Sequence, residues 1–80
     1  SQLDDAIIDQ VKRFLELRLP RMSADQRLAA TRLSVIAVGE ACERSRDLPA
    51  AERDTMLREL RDMLVRYFEP LDRAYGTRGA

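Results

Sequence analysis

Asp5 and Asp9 stand one helical turn apart near the start of the chain. That spacing puts two carboxylates on one helix face, where they could hold a magnesium ion; an exposed acidic first turn would look the same. Ser23, Ser34 and Ser45 supply hydroxyls, but the chain contains no histidine, so the usual general base for a serine nucleophile is missing. The single cysteine, Cys42, excludes a disulfide within the chain, and without histidine no nitrogen- and sulfur-ligated metal site can be assembled. Gly39, Gly76 and Gly79 are too scattered to form a phosphate-cradling loop. The residues able to do chemistry therefore point to no catalytic centre, no metal and no cofactor.

The charge pattern narrows the partners. Fourteen basic residues balance fourteen acidic ones, and the balance holds along the chain: three against four in residues 1–20, five against four in 21–48, six against six in 49–80. Phosphate binding needs a concentrated basic face, so these 80 residues are not expected to bind nucleic acid directly. Thirteen of the fourteen basic residues are arginine but they do not cluster, so the bias reads as genomic composition. The longest apolar run, Val35 to Gly39, is far short of the ~20 residues that cross a bilayer. A soluble, cytoplasmic protein with no membrane partner is the expectation, and a lone cysteine fits a reducing compartment.

Three helices must position whatever the chain carries. Leu3, Ile7, Val11 and Phe14, with Ile8, Leu15 and Leu19 alongside, keep the helical period over residues 3–19, and Pro20 ends it. Ser23 and Gln26 read as a capping box opening a second helix over 24–46. In it Ala30, Ser34, Ala37 and Ala41 fall within roughly 60° and form a stripe of small side chains with Leu33 at its edge. Leu28, Val35, Gly39 and Cys42 lie on the opposite face, so Cys42 is expected to be an inert, buried thiol. The third helix spans 49–69: Met56, Leu57, Leu60, Met63, Leu64, Tyr67, Phe68 and Leu71 fill a stripe about 140° wide, and only Val65 lies outside it. Pro70 is expected to end or kink this helix, with one further turn over Leu71–Tyr75 and fraying over 77–80. The fold class is all-α.

The opening LDDAIIDQVKRFLELRL resembles the first helix of the chorismate mutase family, whose small helical dimers do pericyclic chemistry with Arg and Glu. That likeness is confined to these 17 residues. A broader one covers nearly the whole chain. The helix ending in LPRMSADQ, the helix RLAATRLSVIAVGEACERSR and the closing LPAAERDTMLRELRDMLVRYFEPL resemble the C-terminal part of a tetracycline-repressor-type (TetR) transcriptional regulator. The resemblance implies that the last two helices form a dimeric four-helix bundle with the same pair of a second subunit. It also implies a parent protein that represses transcription by binding operator DNA until a small ligand binds. The family's helix-turn-helix has no counterpart in these residues. The chain opens on Ser1 and its helical pattern starts at once, so it reads as a dimerisation fragment of something longer. A standalone helical homodimeric interaction module is the alternative.

Two sets of residues follow as expectations. The small stripe lets helix backbones approach closely, so a two-fold interface is expected through Ala30, Leu33, Ser34, Ala37 and Ala41 with Leu57, Leu60, Leu64 and Phe68. The other edge of the third helix, Met56, Met63 and Tyr67, is then expected to cover the second helix of its own chain. A pocket for a small apolar ligand is expected at Phe14, Arg18, Met22 and Thr31, with Phe14 and Met22 equally able to be plain core residues. A monomeric three-helix bundle is the contrary reading, and it leaves one face of the second helix short of cover.

Overall fold

The structure, a computed structural model, describes residues 2–77, with side chains from residue 5 onward. The expected fraying of 78–80 and the side-chain roles of Leu3 and Asp4 lie outside the described residues. Three helices follow in order: α1 (Gln2–Arg18), α2 (Ala24–Ser45) and α3 (Ala50–Tyr75), with no strand among the described residues. The all-α expectation holds.

The first two helices end where local chemistry ends them. Leu19 N–H closes the last turn of α1 on Leu15 O at 2.7 Å, just before Pro20. Ser23 is the N-cap of α2, its hydroxyl accepting from Gln26 N–H at 3.1 Å. The expected capping box is half built, because Gln26 is exposed and among the described residues its side chain makes no return bond to Ser23. In the third helix the local rule loses. α3 runs unbroken through Pro70 to Tyr75, so the further turn expected over Leu71–Tyr75 is present and continuous with the body of the helix, where the span was expected to close at residue 69. Pro70 removes the N–H that would bond Arg66 O and disfavours helix at Glu69, together costing about 3 kcal/mol in a helix interior. The turn beyond it offsets this by carrying Leu71 and Tyr75 onto the core, each worth up to roughly 1.5–3 kcal/mol if fully buried.

α2 lies between its neighbours and packs against both. The core is small: Leu15, Leu19, Met22 and Ala30, all at most 4% exposed, with Val11, Phe68, Leu71 and Tyr75 packed around them. No residue of α3 is fully buried. The chain is flattened and splayed, 45 × 29 × 14 Å, with a radius of gyration of 14.2 Å. A compact 80-residue domain should have about 11.6 Å. Polar groups inside this thin body are satisfied locally. Thr31 and Ser34 donate to Arg27 O and Ala30 O, each at 2.8 Å, and Ser45 donates to Cys42 O at 3.2 Å.

The corner between α1 and α2 is held by one side chain. Arg27, half-buried in the first turn of α2, directs Nη1 at Met22 O (2.8 Å), Leu19 O (3.2 Å) and Pro20 O (3.4 Å). These are carbonyls that the end of α1 and the link leave without helical partners.

Candidate functional site

A groove of about 650 Å³ runs between α1 and α3, with Ser34 of α2 at its floor. Val11, Phe14, Leu15 and Leu19 form one wall, and Leu64, Val65 and Phe68 the other. The period of each helix explains the walls: residues three and four apart along α1 and α3 stack on the side turned toward the groove. Its volume lies within the range of small-molecule pockets, and its lining is mostly hydrocarbon. Four charged residues stand at the rim: Arg18, Glu69, Asp72 and Arg73. Two positive and two negative groups leave no net charge to select an ion. Arg18 Nε and Asp72 Oδ1 pair at 3.3 Å, with side chains 53% and 35% exposed, so solvent screens most of their attraction.

Of the expected pocket residues, Phe14 and Arg18 line this groove; Met22 and Thr31 do not. Met22 turns from the α1–α2 link into the core, and Thr31 is fully buried with its hydroxyl committed to its own helix. Ser34, Leu64 and Phe68, which the sequence pattern assigned to a partner subunit, are the groove's floor and second wall. Arg27 was not foreseen at all.

The expected interface residues are divided by the fold. Ala30 is fully buried in the chain's own core, leaving it no surface for a partner. Ala37, Ala41, Leu57 and Leu60 are half-buried, and Leu33 is 62% exposed. Along the second half of α3 the chain itself covers the edge that was expected to reach a partner. Leu64 and Phe68 turn toward α1, whereas Met63 (66%) and Tyr67 (41%) are open to solvent. The cause is the direction from which α1 reaches the α2–α3 pair, since it covers the Leu64–Phe68 edge. Tyr67 and Phe68 remain in edge-to-face contact, centroids 5.0 Å apart.

Helical geometry then defines a second surface. Leu33, Met63 and Tyr67 each precede a groove residue, Ser34, Leu64 and Phe68, and so point about 100° away from it. All three are exposed and none lines the groove, and Ile36, three residues on from Leu33, is exposed as well. Cys42 is exposed, which corrects the expected buried thiol; on the same face Leu28 and Val35 are half-buried and Gly39 is exposed, so cover is lost toward the C-terminal end of α2. Asp5 and Asp9 are exposed, and no group of three or more metal-binding side chains occurs among the described residues. No helix among them is long and apolar enough to cross a membrane.

A family model described as tetracyclin repressor-like, C-terminal domain, matches residues 1–68. No curated protein and no solved structure matches the chain. With 68 of its 80 residues matched, the chain belongs to the tetracycline-repressor-like C-terminal domain family.

Proposed function

We propose that this chain is the homodimerisation and ligand-sensing part of a TetR-type transcriptional repressor, whose operator-binding helix-turn-helix is not among these residues. The family is one of regulatory domains and not of enzymes. The observation that carries the reading is the amount of apolar surface the chain leaves uncovered. Nine large hydrophobic side chains among the described residues are 40–79% exposed, against a core of four. So small a core is marginal alone, and a second subunit is the simplest source of the missing cover.

The interface we assign uses residues outside the groove lining: Leu33, Ile36 and Ala37 of α2 with Leu60, Met63 and Tyr67 of α3. A two-fold axis there stacks two α2–α3 pairs as a four-helix bundle, each copy presenting the same patch. None of these residues lines the groove, so it stays free for a ligand. Its neutral rim and hydrocarbon walls suit an uncharged, largely apolar molecule. Operator binding belongs to the parent protein, because the balanced charge of this chain supplies no phosphate-gripping surface.

Light scattering at micromolar concentration tests the dimer and should return twice the monomer mass. Met63→Glu separates interface from fold. Met63 is two-thirds exposed in the single chain, so a carboxylate there costs a monomer little. In the proposed dimer it would be buried and unpaired, and should give folded monomer. Wild-type protein that is monomeric at high concentration, or a Met63→Glu variant that remains dimeric, would sink the assignment.

A further inference from the structure

We propose that the turns after Pro70 form a C-terminal clasp that fixes the distance of α1 from α3, and with it the width of the groove. α1 and α3 each pack on α2, yet among the described residues the polar ties that span from the α1 end to α3 come from this last segment. Asp72 Oδ1 pairs with Arg18 Nε at 3.3 Å, and Gly76 O accepts from Arg21 Nη2 at 3.2 Å. Leu71 and Tyr75 seat the same turns against the Leu15–Leu19–Met22–Ala30 core. Asp72 and Arg73 stand at the groove itself, so the clasp is part of its wall.

Two features mark this segment as a built closure rather than a helix end that trails off. Gly76 is buried, and its N–H bonds Asp72 O at 2.8 Å. A Cβ at that position would overlap the Asp72 carbonyl oxygen and come within 2.6 Å of Oδ1, so the close approach requires glycine. At the other end Pro70 cannot donate to Arg66 O, which weakens the joint between these turns and the body of α3. A short segment with a weak joint and its own anchors can open as a unit while the rest of the helix stays formed. The family match ends at Phe68, ahead of the clasp. The proposal does not depend on what the groove binds.

The test is a distance measurement on the full chain. Nitroxide labels at Arg13→Cys and Arg66→Cys, both exposed positions outside the groove, report the α1–α3 separation in a Cys42→Ser background. Dilution into unlabelled chain removes any signal between subunits. Gly76→Val should lengthen and broaden the distribution. Arg21→Gln, which alters no helix, should do the same to a smaller extent and keeps the test valid if Gly76→Val fails to fold. Hydrogen exchange on the same variants should rise by about three-fold or more in residues 11–18 and 72–77, and stay at wild-type rates around 45–50. An unchanged distance distribution overturns the proposal. So does faster exchange confined to 72–77, which would be simple fraying, or spread evenly over all three helices, which would be general loss of stability.

Discussion

Replacing Arg27 with methionine removes the guanidinium while keeping most of the apolar stem, and so isolates the polar contribution of the α1–α2 corner. Nη1 carries two hydrogens and faces three carbonyls, so the contact amounts to two bonds, best at Met22 O (2.8 Å) and Leu19 O (3.2 Å), with Pro20 O (3.4 Å) sharing. A hydrogen bond to a charged group contributes about 1.5–3 kcal/mol net, and a cation near a helix C-terminus adds about 0.3–1 kcal/mol. Arg27 is half-buried, so water can reach part of what the variant exposes; its place in the first turn of α2 offsets the helix-end gain, so one full bond remains, about 1.5–3 kcal/mol. A small core rarely supplies more than about 3–5 kcal/mol in all, so the loss would be severe. At about 4–8 °C per kcal/mol for a domain of this size, the lower figure of about 1.5 kcal/mol lowers the Tm by about 6–12 °C. Far-UV circular dichroism melts read it, at one fixed protomer concentration, since the Tm of a dimer depends on concentration. Arg27→Lys keeps the charge but not the fork, and should recover only part of the loss. A methionine variant melting within about 2 °C of wild type would refute the reasoning, showing that water replaces the guanidinium without cost.

Three further outcomes follow from the same packing. Ala30→Leu forces three carbons into a site with no exposed surface between Leu15, Leu19 and Met22, and should destabilise by about 1–3 kcal/mol in a denaturant titration. Thr31→Val, though at an equally buried position, should stay within about 1 kcal/mol of wild type, because the lost hydroxyl bonds only a carbonyl of its own helix. Cys42 should react fully with a thiol reagent in the native protein and without loss of helicity; protection comparable to that of a buried thiol would show that some partner covers this face.

What sequence could and could not disclose divides along a physical line. The ends of α1 and α2 were legible to within one residue because Pro20 and Ser23 act locally. At Pro70 the local rules left an end or a kink with one further turn, and the choice fell to Leu71 and Tyr75, whose value lies in a core those rules do not see. Phe14 and Arg18 were readable as groove residues from their place on the α1 stripe. Met22 was readable only as groove or core, since a two-residue link has no period to reveal its direction, and it is core.

The edges of α3 pose a deeper problem. Eight apolar residues in a broad stripe say which half of a helix is dry, but the stripe has two flanks and periodicity alone treats them alike. Which flank serves its own chain depends on which side of the α2–α3 pair α1 approaches, and the short link at Pro20 to Ser23 decides that. Arg27 sets the geometry of this link, and it carried a readable sign: a cation in the first turn of a helix is in the place the helix dipole disfavours. Such a residue needs a reason, and the nearest supply of negative partial charge is the C-terminal end of the preceding helix, a few residues back. Followed through, that mismatch ties α1 to the start of α2 and brings it over the Leu64–Phe68 edge, leaving Met63 and Tyr67 for solvent or a second subunit.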